Sequence, residues 1–219
     1  MVDQHFPKTG LVCIENAHSS GRVISIKKMK AVYNKAAEYN IPVHMDGARL
    51  FNAAVSLGAD VKDIAQYCDS VMFCLSKGLG APVGSIIAGT QEFINKARLK
   101  RKIMGGGMRQ AGVIAAPGII ALTEMRARLH EDHENAALLT GLMDKIPGVN
   151  IFKDLRDISM IFFTLDRETE DEEFVDYFAK RNIVVYPPEG KIFRFVMHYG
   201  VSKEDLPQIA QTLKDYLAQ

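Results

Sequence analysis

The sequence predicts an α/β protein: a mostly parallel sheet with covered faces, followed by a small α+β domain. Three observations carry that expectation. Short apolar runs alternate with helix-length stretches through the first half of the chain, an order that favours parallel strands joined by helices. Two of the runs end in a charged residue followed at once by glycine, Val43-His44-Met45-Asp46-Gly47 and Ser70-Val71-Met72-Phe73-Cys74-Leu75-Ser76-Lys77-Gly78. An acid at one strand end and a lysine at the next suggest a shared crevice at the carboxyl edge of the sheet. Beyond Pro147-Gly148 the pattern changes, and the remaining residues read as α+β.

Taken in order, residues 11–14 read as a short buried strand. Residues 27–39 read as a helix with Met29, Val32, Tyr33 and Ala36 on one face, stopped at Asn40. Residues 43–45 form the next strand, and 50–57 a helix ended by Gly58. Residues 70–75 and 83–88 are two further strands. A basic helix covers 92–102 and breaks at Gly105-Gly106-Gly107. Residues 110–145 read as helical, with Pro117 a kink or restart. The second half offers a strand at 159–164, a helix at 172–180 with Phe174, Val175 and Phe178 inward, and strands at 184–186 and 192–196. Leu206, Ile209, Leu213 and Leu217 stripe a last helix with Ser202 as its N-cap. The expected division is a large α/β domain at 1–130 and a small α+β domain at 131–219.

Composition narrows the function classes. The chain has 219 residues, 47% hydrophobic and 24% charged, enough for a substantial core and against a disordered chain. A formal charge of +1 gives no electrostatic case for nucleic acid or an anionic membrane as partner. No apolar run approaches membrane-spanning length, and no secretory signal opens the chain. Cys13, Cys68 and Cys74 lack metal-ligand spacing and read as free thiols in a reducing compartment, the cytosol. Cys13 and Cys74 lie in strand-like runs, so burial is expected for both. No metal site is expected.

The chemistry-bearing residues leave alternatives open at this level. Lys77, delivered to the end of a buried strand, would be desolvated and so richer in the neutral amine that attacks a carbonyl; the plainer reading is a lysine snorkelling to solvent. Asp46 is a strand-end carboxylate that can hold a cationic partner or cap the following helix. Ala48 lies two residues on and could share its face, where a small side chain admits a close neighbour or simply packs closely. Arg49 and Arg194 have the planar fork that grips a carboxylate through two oxygens; a surface ion pair and an exposed sheet face are the respective alternatives. Lys102 and Arg109 flank the triple glycine, where mobile glycine amides and cations suit an anion, or where a basic helix end is merely solvated. His5 is a proton acceptor near neutral pH or a frayed terminal histidine.

Six segments, in order, resemble the threonine aldolases, pyridoxal-phosphate enzymes built like aspartate aminotransferase. They are Asp3-Gln4-His5-Phe6-Pro7-Lys8-Thr9, Ile14-Glu15-Asn16-Ala17-His18, Asp46-Gly47-Ala48-Arg49-Leu50-Phe51-Asn52, Leu75-Ser76-Lys77-Gly78-Leu79-Gly80-Ala81-Pro82-Val83-Gly84, Arg101-Lys102-Ile103-Met104-Gly105-Gly106-Gly107-Met108-Arg109-Gln110, and Phe193-Arg194-Phe195-Val196-Met197-His198. Members of that family carry an N-terminal part before the Asp-x-His segment, with a Gly-Thr turn for the cofactor phosphate and a histidine that stacks on the pyridine ring. The likeness begins at Asp3, so the expectation is an N-terminally truncated large domain with a small C-terminal α+β domain.

The resemblance implies a fold, a reaction and a set of roles. Lys77 would be the Schiff-base lysine for pyridoxal 5'-phosphate, and Asp46 would face the pyridine nitrogen. Ala48, Asn16, Lys102 and Arg109 would be further cofactor contacts, the last two across a subunit interface in a homo-oligomer (a dimer or tetramer). Arg49 and Arg194 would bind the substrate carboxylate, and His5 would lie near the β-hydroxyl. The implied activity cleaves L-threonine- or L-allo-threonine-type β-hydroxy-α-amino acids to glycine and an aldehyde. Two alternatives stand beside it: a catalytically impaired fragment or assembly partner of such an enzyme, and a related β-eliminating amino-acid lyase.

Overall fold

The structure is a computed structural model that describes residues 7–219. The chain divides into two compact units, one of residues 7–17 and Val23–Arg126, the other of His18–Arg22 and Ala127–Gln219.

The first unit is built on a sheet of β1 (Val12–Glu15), β2 (Val43–Asp46), β3 (Ser70–Cys74) and β4 (Ser85–Gly89), adjacent in that order. β1, β2 and β3 run parallel, as the alternating sequence predicts. β4 runs antiparallel to β3, from Ser70 opposite Gly89 to Cys74 opposite Ser85. The reason is length: residues 75–84 make a turn, whereas a parallel return needs a crossover of a dozen or more residues.

α1 (Ile26–Ala37) starts at Ser25, whose hydroxyl accepts the Lys28 N–H. α2 (Leu50–Leu57) ends on Gly58 at φ 59°, the left-handed residue that closes a helix. α3 (Val61–Ala65), which the apolar periodicity did not reveal, is set by its cap. Asp60 and Asp63 form a capping box with two short carboxylates in place of the usual Ser/Thr and Glu. Val43, Met45 and Val71 are buried, as are Met29, Ala36, Ala53, Ala54 and Ile64 of the three helices. The two-residue period of the strand therefore turns His44 and Asp46 to the opposite face. Cys13, expected to be buried, is exposed; it is in register with His44 and shares that open face.

α4 (Gln91–Ile103) is capped by Thr90, whose hydroxyl accepts the Phe93 N–H. The long helix expected over 110–145 is broken. α5 (Gly112–Thr123) carries Pro117 inside it, a 3₁₀ turn follows at Met125–Arg128, and α6 (Leu129–Met143) begins in the second unit.

The second unit has an antiparallel sheet of β5 (Val149–Ile151), β6 (Met160–Leu165) and β7 (Phe193–Val196). Its core gathers Phe163, Phe174, Phe178, Phe193, Phe195 and Tyr216 with apolar residues of α6, α7 (Asp171–Ala179) and α8 (Leu206–Leu217). Ser202 caps a short 3₁₀ turn ahead of α8 through a box with Asp205. The strand expected at 184–186 does not form: Val184 is 92% and Tyr186 76% exposed. Pro187 and Pro188 follow directly, and proline has no N–H to extend a ladder.

Candidate active site

Asp46 closes β2, in register with Glu15 of β1 and Met72 of β3. Its direction is fixed by backbone bonds on three sides. Its own carbonyl accepts the Asn16 N–H at 2.9 Å, the Gly47 N–H donates to the Met72 carbonyl at 2.8 Å, and Leu50 N–H donates to the Gly47 carbonyl at 2.7 Å. The Asp46 Oδ1 accepts the Ala48 N–H at 3.0 Å. Oδ2 has no partner among the described residues, and the residue is exposed. Gly47 is a site residue that the sequence reading passed over. A Cβ there would lie 2.8 Å from the Met72 carbonyl oxygen and 3.0 Å from the Leu50 Cβ, so only glycine lets the strand end turn into α2 beside β3. Its signal was present in the run Asp-Gly-Ala-Arg, between a strand and a helix. Ala48 is 8% exposed. Arg49 is half-buried at the N-cap of α2 and is not a free side chain.

Lys77 stands three residues past the end of β3, and so at the same carboxyl edge as Asp46. Leu75 and Leu79, both buried, anchor the segment on either side of it. The Gly80 N–H returns to the Lys77 carbonyl at 2.9 Å, with Gly80 at φ 73° closing the turn. Lys77 itself is exposed, with no partner among the described residues. The desolvation expected of it is not supplied by those residues, because the strand stops at Cys74 and the lysine sits in the turn beyond.

Asn16, read as a cofactor contact, is fully buried. Its Nδ2 donates to the Ile24 carbonyl at 3.1 Å and lies 3.3 Å from the Met29 sulfur, and its Oδ1 accepts the Ile24 N–H at 3.0 Å. The side chain holds the loop that follows β1. His44 is likewise engaged, its Nδ1 2.8 Å from the Ser70 hydroxyl. Lys102 lies in the last turn of α4 and Arg109 in the loop after it, both exposed. The amides of Gly105 and Gly106, expected to face an anion, instead donate to the carbonyls of Lys102 and Arg101, at 3.2 Å and 2.8 Å. His5 lies outside the described residues.

In the second unit, Arg194 sits between Phe193 and Phe195, which are buried at 4% and 6% exposure. The strand period puts Arg194 on the other face, in register with Phe162. It is half-buried, with no hydrogen-bond or ion-pair partner among the described residues. Among those residues no cluster of His, Cys, Asp and Glu could hold a metal ion. No helix there is long and apolar enough to cross a membrane. The Cys68 thiol is pushed up to about 11 by burial and by Asp69, so it stays protonated and is no nucleophile at neutral pH.

A sheet with a carboxylate and a lysine at the ends of adjacent parallel strands, followed by a small α+β unit, is the fold of the pyridoxal-phosphate-dependent aminotransferase class. Solved structures agree. The Leishmania major threonine aldolase superposes with a TM-score of 0.75 at 18% identity, covering 98% of this chain and 63% of that one. A PLP-dependent aminotransferase from Streptococcus suis gives 0.69 at 20% identity, covering 95% and 57%. The chain belongs to the β-eliminating lyase family, whose profile matches residues 1–166. The low specificity L-threonine aldolase of Escherichia coli is 40% identical over 217 residues, 99% of this chain and 63% of the relative. The low-specificity L-threonine aldolase 1 of Arabidopsis thaliana is 38% identical over 205 residues, 92% of this chain and 57% of the relative. The chain thus spans roughly three-fifths of the length of these relatives.

Proposed function

We propose that this chain carries the catalytic lysine and substrate-binding arginines of a pyridoxal-phosphate-dependent aldolase that splits L-threonine- or L-allo-threonine-type amino acids into glycine and an aldehyde. The observation that carries the reading is the pairing of Asp46 and Lys77 at one carboxyl edge of the sheet. The donor set fits the cofactor: an exposed primary amine, a carboxylate with one oxygen open, and a small residue two positions on. Bound pyridoxal phosphate supplies an electron sink for the pair left behind when a bond at the substrate Cα breaks.

The chain's residues supply the rest. Lys77 would hold the cofactor through its exposed primary amine, a group able to exchange with an incoming amine. Asp46 would face the pyridine nitrogen and favour its protonated form, since its Oδ1 takes the Ala48 N–H and leaves the other oxygen open. Ala48 lets the flat ring lie close, and Asn16 acts on the site by fixing the loop after β1. Lys102 and Arg109 neutralise phosphate. Arg49 and Arg194 hold the substrate carboxylate and so select which Cα bond stands perpendicular to the ring. His5 takes the proton from the substrate β-hydroxyl oxygen. The large cofactor domain is assigned to 1–130 and the small domain to 131–219. The protein works in the cytosol as a homo-oligomer, a reading supported by the exposed apolar surface of α5 and by three free cysteines.

The test is product analysis. Purified chain with pyridoxal phosphate and L-threonine or L-allo-threonine should release acetaldehyde and glycine, and Lys77→Ala should abolish both. Formation of a 2-oxo acid and ammonia instead would establish the β-eliminating alternative, which the family profile keeps in view. Cofactor binding without turnover would establish the impaired-fragment alternative.

A further inference from the structure

Three glycines follow α4, and the helix cap accounts for two of them. Gly105 has φ 83°, and its N–H donates to the Lys102 carbonyl at 3.2 Å, while the Gly106 N–H donates to the Arg101 carbonyl at 2.8 Å. These are the paired bonds of a Schellman cap, with glycine at its left-handed position. Gly107 has no part in that cap, and its φ is not in the left-handed region. Something else must explain the missing side chain.

The space that a Cβ at residue 107 would occupy is filled by Lys102. The three heavy atoms nearest to that position all belong to its side chain: Cδ at 2.7 Å, Nζ at 3.4 Å and Cε at 3.6 Å. We propose that Gly107 is a positioning residue for Lys102, its bare backbone seating the lysine stem so that the ammonium is held over the loop running to Arg109. An unrestrained lysine loses close to its full rotamer freedom when it engages a ligand; a stem already folded against backbone loses less. An alanine methyl at residue 107 meets a flexible stem, so the chain keeps its fold and the lysine swings away. Gly107 thereby tunes affinity for the phosphate of the cofactor, an inference that rests on the assignment of Lys102 to that phosphate.

The test compares binding of pyridoxal phosphate and of pyridoxal, which lacks the phosphate, by absorbance titration of the unaltered chain, Gly107→Ala, Lys102→Ala and the double variant. Gly107→Ala should weaken pyridoxal phosphate about tenfold, the scale of one charge-assisted hydrogen bond. It should leave pyridoxal affinity and the urea midpoint unchanged, and have no further effect in the Lys102→Ala background. Equal weakening of both ligands, or a full second loss in the double variant, would overturn the role of Gly107. Undiminished pyridoxal phosphate binding by Gly107→Ala, with Lys102→Ala impaired, would overturn it too while leaving the lysine assignment standing. Unimpaired Lys102→Ala, or no preference of the unaltered chain for pyridoxal phosphate, would overturn the lysine assignment and the inference together.

Discussion

Single residues here are governed by what lies behind them. Asp46 points where it does because Asn16, Gly47 and Ala48 bond or crowd around it, and Lys77 because two buried leucines and Gly80 close its turn. Their identities were legible in the sequence; their settings were not, since the exposure of Lys77 depends on where β3 stops. Away from the site, burial in α6 creates a titration. His133 is held down to about 4 by burial and by Arg156 and His130. Unfolding lets it recover its ordinary value of 6.5, so between those values the unfolded chain binds more protons. This contribution to stability is complete above pH 6.5 and is lost as pH falls toward 4. Next to it Asp132 is raised, first by burial and against the pull of Arg128, so its protonation opposes the loss. Thermal melts of His133→Gln should therefore show a flatter pH dependence across that window than the unaltered chain; an unchanged slope would rule His133 out as the cause.

At the scale of elements, the strongest local signals were those that caps and backbone geometry enforce. α2 and its stop at Gly58 followed directly from sequence. α3 escaped because five residues are too few for an apolar period, and only its Asp60–Asp63 box marks it. The stretch at 184–186 has strand-like composition without a ladder, because composition cannot say whether a neighbouring edge is within reach. One short segment shows how tightly backbone can constrain an element. Gly21, at φ 83°, lies so close to the Leu155 carbonyl oxygen that a Cβ would collide with it, and Asp157 N–H donates to the Gly21 carbonyl at 3.1 Å. Gly21→Ala should cost about 2–4 kcal/mol, combining left-handed strain with the clash. Urea unfolding is the measurement, and a loss under about 0.5 kcal/mol would mean the segment shifts freely.

For the molecule as a whole, α5 is the element most at odds with solvent. It is apolar around its circumference, yet Val113 is 72% and Ile119 63% exposed. Helices of that kind are buried in folded proteins. If the chain assembles with itself through this surface, gel filtration should give a mass well above 24.3 kDa. The pair Val113→Glu and Ile119→Glu should bring it down toward that value, whereas a native mass unmoved by the pair would place the contact elsewhere. The α/β class, the strand-end placement of Asp46, the turn that carries Lys77 and most helices were legible before any folding was known, because periodicity, caps and strand-end composition are local properties. Only the folded chain shows that Cys13 faces outward, that the Asn16 side chain is taken up by the backbone of Ile24, and that the Lys102 stem lies against Gly107. Each of those depends on which groups distant or folded-back chain brings within van der Waals or hydrogen-bond reach, and no local pattern encodes that.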